Sequence, residues 1–579
     1  MSNITKKPKV LIALLLLVAT ILTLALPVFA EEVPSTGSSA TSFDIDQAYY
    51  SSDYEHLADK DVVFENITYE EAVYLFQQEG NYLVFLGGPW CGNTNAVIDY
   101  INDAAKAAGV TTVYNLDLVL DGNAGKDNGL AANKNAHIRE SNSSSLDGAD
   151  YNYLYAELVT RYLTNLNDWV EYTKDSKSAL IYTDADIAVP KVQVPFLFIY
   201  NKDNTVNNKG ESVEGKTYPI VYGYEKMLNR DEDGLYTASY VPKDGGGYDV
   251  IKTRVEGTAY TQELNDAIFS HIGTGDGKLS LSSFTSADYI RLAYNERAGQ
   301  KIFEDGEQIN IETITYKQLD WLLGQDGNYL ILFGGAWCGN TQAVIDIIND
   351  YAVANNVTVF NFDTKLDGGY AKYKWGYSQE VHIRDSKNPF AYLYVSLVNT
   401  YLDNIETEYT IESGNYIYYQ TDPADESTKV IANKLQVPYF FAYNKANVDN
   451  DGHDAPILSY VEKMYSLKET RDDYIGDEAN YADYTTATFN VIKAYAEKTG
   501  ITATNIVTST NAETNNDETS GGETNNNTTN TDNNGGENDK DGNNTTKIII
   551  AIVGVVVVAA VIVFVVVGKK KSSGCGKCC

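Results

Sequence analysis

The chain has 579 residues, a formal charge of −35 and a pI near 4.4. That length exceeds what one compact core organises, so two or more domains are expected. A surface this acidic repels phosphate backbones and excludes nucleic acid as a partner; otherwise it reads as a solvated exterior.

In chain order, Lys6, Lys7 and Lys9 precede an apolar run from Val10 to Leu26, and Val28, Phe29 and Ala30 lead to Glu31. A charged n-region, an apolar h-region and a small-residue cleavage site predict a secretory signal over 1–30, either removed or, given its long apolar run, kept as an anchor. Residues 31–60 read as an N-terminal linker.

Beyond residue 60 the chain repeats itself. NYLVFLGGPWCGNTNAVIDYIND from Asn81 matches NYLILFGGAWCGNTQAVIDIIND from Asn328, and VYNLDLVLDG from Val113 matches VFNFDTKLDG from Val359. NAHIRES, KVQVPFLFIYNK and YPIVYGYEKM find collinear partners in EVHIRDS, KLQVPYFFAYNK and APILSYVEKM. A period this long means tandem globular domains rather than a solenoid. The first spans 61–275, a linker covers 276–310, and the second spans 311–507.

Each copy opens with a helix (TYEEAVYLFQQ; TYKQLDWLLGQ) and a short apolar strand (YLVFLG; YLILFG) ending in Gly-Gly and WCGNT. An amphipathic helix comes next, with Ala96, Val97, Tyr100 and Ile101 on one face, and then the strand VTTVYNLD. Strands alternating with helices predict a βαβ unit in an α/β fold. Later come a helical stretch (Leu154 to Leu166; Leu393 to Ile405), two strands joined by a turn-rich hairpin, and a closing helix (TQELNDAIFSHI; TATFNVIKAYAEK).

Residues 508–547, mainly Asn, Thr, Gly, Glu and Asp, cannot repay the entropy of ordering and read as a disordered spacer. Residues 548–567 are apolar throughout and, at ~1.5 Å per residue, long enough to cross a bilayer. Lys569, Lys570 and Lys571 place the tail 568–579 in the cytoplasm and the repeats outside. The expected location is thus a cell membrane, single-pass, with the ectodomain outside.

Of five cysteines, Cys91 and Cys338 lie in the repeats and Cys575, Cys578 and Cys579 in the tail. No second thiol can close a bridge within a repeat, and three tail thiols fall short of a four-ligand zinc site. GTGDGKLSLSSF from Gly273 and NVDNDGHD from Asn447 match a calcium loop only in part and read as turns. No metal or cofactor is expected. The abundance of tyrosine, 45 against 18 phenylalanines, suits either a partner-binding surface or half-buried strands and helices.

A cysteine that opens a helix after a buried strand meets backbone N–H groups and the positive end of the helix dipole, which favour thiolate, the nucleophilic form. Trp90-Cys91-Gly92 with Val194-Pro195, and Trp337-Cys338-Gly339 with Val437-Pro438, resemble the thioredoxin superfamily. The resemblance implies two tandem thioredoxin-like domains, each a central mixed sheet flanked by helices with a helical insertion before the proline strand, plus the C-terminal span. It also implies cis prolines at Pro195 and Pro438 beside the cysteines, where Val194 and Val437 pair through their backbones with an extended substrate and Trp90 and Trp337 flank it.

Thr94 and Thr341 depart from that family, occupying the place of its second, resolving cysteine. Threonine cannot resolve a mixed disulfide, although its hydroxyl can donate toward a thiolate. His137, Arg139, His382 and Arg384 lie in the insertion and offer thiolate stabilisation, proton transfer or plain salt bridging. Asp117 and Asp363, closing the second strand, offer proton transfer or a loop anchor. The expectation is a membrane-anchored protein performing monothiol disulfide exchange, isomerase-like, on extracytoplasmic proteins or peptides. The alternative is a non-catalytic thioredoxin-like module that binds partners or peptides in the groove beside the proline.

Overall fold

Tyr82–Leu86 (β2) is an unbroken apolar run because both of its faces are covered. Leu83 and Phe85 pack into one core with Val97, Ile98 and Ile101, while Val84 and Leu86 pack into the other with Ala72 and Leu154. In this computed structural model the described residues are 43–124, 135–139, 151–182, 187–244, 246–422, 424–465 and 478–506. The expected signal, spacer, membrane span and cysteine-bearing tail lie outside them. Among the described residues no helix is long and apolar enough to cross a membrane.

The first repeat begins with β1 (Phe64–Asn66) and α2 (Tyr69–Leu75), preceded by α1 (Ile45–Asp53). The α2 start is set by a capping box in which Thr68 and Glu71 satisfy each other's free backbone N–H groups. After β2 come α3 (Gly92–Ala107), β3 (Val113–Leu116), α4 (Tyr153–Arg161), β6 (Phe196–Tyr200) and β7 (Ile220–Glu225), with a small β4–β5 pair (Leu180–Tyr182, Ile187–Val189) between α4 and β6. The sheet order is β1-β3-β2-β6-β7, parallel across the first three strands and antiparallel thereafter.

The second repeat rebuilds that sheet as β11-β13-β12-β16-β17 from Ile311–Thr313, Val359–Phe362, Tyr329–Phe333, Tyr439–Tyr443 and Ile457–Val461. Both repeats are therefore mixed α/β layers with helices flanking a mixed sheet.

Both stretches expected to be linkers carry structure. Within 31–60, α1 buries Ile45, Tyr49 and Tyr50. Within 276–310, α6 (Ser286–Ala298) starts at a Thr285–Asp288 capping box and buries Tyr289, Ile290, Ala293 and Tyr294. After β7 the first repeat also adds a ribbon, β8 to β10 (Asn229–Asp231, Gly234–Pro242, Tyr248–Arg254), that no periodicity in the sequence suggests. The first repeat closes with α5 (Gly257–Ala267).

The second copy of the cysteine helix is broken. It runs over Gly339–Gln342 (α8), leaves helical geometry at Val344, and resumes as α9 (Ile345–Ala354). Asp346 Oδ1 accepts the N–H of Ile347 at 2.8 Å, a side chain competing for a backbone donor. Its counterpart Asp99 is held instead by Arg230 at 2.9 Å, and α3 is continuous. The chain continues through α10 (Ala391–Tyr401) and the β14–β15 pair (Tyr416–Gln420, Lys429–Asn433) to α11 (Glu478–Thr499).

The repeats pack on each other reciprocally. A Cβ at Gly122 would lie 2.6 Å from Lys317 Cβ at the start of α7 (Tyr316–Leu323), and one at Gly368 would lie 2.7 Å from Glu70 Cβ on α2. Both glycines have positive φ, so backbone geometry and close approach demand the same residue. Buried Glu70 pairs with Arg297 of α6, which also bonds Gly368 O, and Tyr289 Oη donates to Glu70 at 2.7 Å.

Candidate functional site

Cys91 is the N-cap of α3 and Cys338 the N-cap of α8, each in extended geometry. Cys91 Sγ lies 3.4 Å from the carbonyl oxygen of Val194, and Cys338 Sγ lies 3.3 Å from that of Val437. The Val194–Pro195 and Val437–Pro438 peptide bonds are both cis. The structure thus brings together the cysteine and the distant Val-Pro in both repeats.

The Val-Pro segments are pinned from several sides. Glu225, ending β7, accepts the N–H groups of Gln193 (2.6 Å) and Glu171 (2.8 Å), and Glu462 does the same for Gln436 and Glu408. Arg139 donates to Val192 O at 2.8 Å, and Arg384 to Leu435 O at 2.9 Å, two residues before each valine. Reading the sequence for chemistry misses these glutamates, although Glu-Lys-Met repeats there as part of YPIVYGYEKM and APILSYVEKM. Met227 and Met464 of that triplet accept from Asn93 and Asn340, both at 3.3 Å, on the residues two beyond the cysteines.

Trp90 Nε1 donates to Asp117 at 2.8 Å, and Trp337 Nε1 to Asp363 at 2.8 Å. Each aspartate also accepts the N–H two residues on, from Val119 or Lys365, so both are loop anchors. Burial pushes both carboxyls up to about 7, against the pull of the indole bonds. A Cβ at Gly88 would meet Asp117 Oδ2 and Trp90 Nε1 at 2.3 Å, and one at Gly335 would meet the equivalent atoms at 2.2 and 2.4 Å. The second glycine of each Gly-Gly pair is the space in which the Trp–Asp bond forms. Asp117 and Pro89, with Asp363 and Lys365, line one cavity of about 50 Å³ between the repeats.

The threonines of the two sites are buried, and the histidines pack against the tryptophans. Thr94 and Thr341 are fully buried, but neither hydroxyl hydrogen-bonds anything among the described residues, the sulfur included. The thiol is placed instead to donate to the valine carbonyl. His137 and His382 stack edge-on against Trp90 and Trp337, at 5.1 and 5.6 Å between ring centroids. Burial pushes His137 well below its ordinary value and His382 down to about 2, which favours the neutral ring in both.

The sites differ in access: Cys91 is 0 % exposed, whereas Cys338 is partly exposed. In the first repeat Met227 leads into the ribbon, with Leu228 buried and Arg230 bonded to Ala96 O and Asp99, so this strap crosses the first turns of α3. Lys365 Nζ sits 4.1 Å from the Trp337 ring centroid and pairs with Glu380; Val119 fills its place in the first repeat. Among the described residues, Asp449, Asp451 and His453 are the one set with ligand atoms within 4.8 Å of one another, on an exposed turn away from both thiols. No protein-family model matches the chain, and no curated protein matches it.

Proposed function

We propose that the chain is a membrane-anchored, extracytoplasmic thioredoxin-like protein whose two monothiol sites exchange disulfides with secreted or surface proteins. The single observation that carries this reading is the duplicated approach of a helix-capping cysteine to the carbonyl before a proline, 3.4 and 3.3 Å. The thiolate attacks a substrate disulfide, an Sγ–S bond forms, the substrate S–S bond breaks, and the leaving sulfur takes a proton. With threonine in place of a second thiol, the adduct is released when that substrate thiolate or an external thiol attacks it. The net outcome is rearrangement of substrate disulfides, without net oxidation by this chain.

The complete burial of Cys91 favours a second reading for the first repeat alone, that of a non-catalytic module binding partners in its groove. The test is reactivation of a disulfide-scrambled protein in a glutathione buffer by the full chain with its three tail cysteines changed to serine. Activity abolished by Cys338→Ala supports exchange at the second site. Activity equal to buffer alone refutes it, and loss on Cys91→Ala would reject the non-catalytic reading of the first.

A further inference from the structure

We propose that the second thiol site receives acidic segments of its substrates, through a rim of cations that runs from Trp337 to the loop before Pro438. This rests on disulfide exchange at Cys338 and names the chemistry of the chain flanking the attacked disulfide.

Backbone pairing assembles the rim. Lys365, just after β13, pairs with His382 in an antiparallel bridge, and the His382 ring lies against Trp337. Lys365 Nζ sits over the same indole at 4.1 Å. Two residues beyond His382, Arg384 Nη1 donates to Leu435 O at 2.9 Å, which ties this strip to the proline loop next to Lys434. Lys365, Arg384 and Lys434 thus link the tryptophan before Cys338 to the loop before Val437. The charges that bear on His382 are all positive, namely Arg384, Lys365, Lys434 and Lys372, and Arg384 is close enough to Cys338 for the two to interact. In the first repeat Val119 makes the equivalent bridge to His137, so that site lacks the cation over the indole.

The opposing carboxylates are fewer or already engaged. Glu380 pairs with both Lys365 (2.9 Å) and Lys372 (3.5 Å), Asp385 acts on Lys434, and Asp363 is buried against the indole. Glu462, just after β17, accepts from Gln436 N, Glu408 N and Thr407 Oγ1. Neither Arg384 nor Lys434 forms an ion pair among the described residues. Lys372 keeps 60 % of its side chain exposed and Lys434 is half-buried, so these two can touch an incoming chain. Lys365 and Arg384 add charge from less solvated positions, where it is screened less. The formal charge of −35 repels acidic partners at a distance. Exposed charges more than about 8–10 Å away are screened at physiological salt, so at contact the local cations outweigh the distant total.

The experiment uses the full chain with Cys91→Ala and the three tail cysteines changed to serine, so that Cys338 alone reacts. Two peptides carry one cysteine as a 2-pyridyl disulfide, flanked by three glutamates in one and three lysines in the other. Cys338 attacks the peptide sulfur, the Cys338–peptide S–S bond forms, the peptide–pyridyl S–S bond breaks, and 2-thiopyridone leaves with the proton and is read by absorbance. At low salt the glutamate peptide should react faster by about fivefold or more, and 0.5 M NaCl should shrink the difference below about twofold. Lys372→Gln with Lys434→Gln should abolish the preference, whereas Lys493→Gln on α11, the same change in net charge per site, should keep it. If the double variant does not fold, Lys372→Gln alone decides: a reduced preference supports the rim, and an unchanged one contradicts it. Equal rates for the two peptides, a faster lysine peptide, or a preference lost equally in Lys493→Gln overturns the proposal and leaves exchange at Cys338 standing. Reaction with neither peptide rejects exchange at Cys338, and the proposal with it.

Discussion

Asp117 of the first repeat and Asp363 of the second line the same cavity, each holding the indole of the tryptophan beside its own cysteine. The two sites thus back onto one shared space between the repeats.

Both aspartates have folded-state values near 7 against an ordinary 3.8. Between those values the folded chain binds more protons than the unfolded chain, so their contribution to stability is greatest below the lower value and is lost as pH rises toward 7. Asparagine keeps an acceptor for the indole without ionising. The Asp117→Asn, Asp363→Asn double variant should therefore gain on the wild type between pH 5 and pH 8, by on the order of 5 kcal/mol, in denaturant melts across that range. A difference independent of pH would contradict the assignment.

Gly88→Ala places a methyl group 2.3 Å from both partners of the Trp90–Asp117 bond. Neither partner can retreat, because Trp90 is stacked on His137 and Asp117 is bonded to Val119. A loss of about 1–3 kcal/mol is expected by chemical denaturation, with altered tryptophan fluorescence.

The buried threonine hydroxyls satisfy nothing among the described residues, so Thr94→Val and Thr341→Val should leave stability unchanged or raise it by up to ~1 kcal/mol. Thr341→Cys is the informative opposite. It restores a second thiol three residues from Cys338, and the variant should form an internal disulfide and catalyse insulin reduction by dithiothreitol, which the wild type should not.

Exposure orders the thiols. In the native full-length chain, mass spectrometry of timed iodoacetamide labelling should find Cys338 modified faster than Cys91 by roughly tenfold or more. Equal rates would mean that the strap from Met227 to Arg230 opens readily.

Much of the fold is legible in the residues. The apolar runs of β2, β12, β6 and β16, the capping boxes at Thr68 and Thr315, and the antiparallel return after each Val-Pro all come from pattern and turn chemistry. Duplication does most to fix the register, and it also misleads. Segments without a matching sequence in the other repeat look like linkers, yet α1 and α6 are anchored by Tyr49, Tyr50, Tyr289 and Tyr294. Tyrosine carries a large apolar ring under a polar hydroxyl, so a helix that buries tyrosines reads as polar. The ribbon β8 to β10 is hidden for a related reason, since β10 is exposed along its length and shows no alternation. The threonine is identifiable as the residue that limits the chemistry, but its lack of a partner is a matter of a few ångströms that spacing cannot express. Likewise the aspartates are visible as strand ends, while their bond to tryptophan depends on the space left at Gly88 and Gly335.

The central claim is that the partly exposed Cys338, set against Val437, forms mixed disulfides with extracytoplasmic proteins. The most direct measurement is acid quenching and alkylation of cells expressing the full chain with Cys575, Cys578 and Cys579 changed to serine, followed by non-reducing electrophoresis and mass spectrometry. The account predicts dithiothreitol-sensitive adducts mapped to Cys338 and lost in Cys338→Ala, with Val437 and Pro438 intact. Absence of adducts, or adducts that persist in both Cys91→Ala and Cys338→Ala, would contradict it.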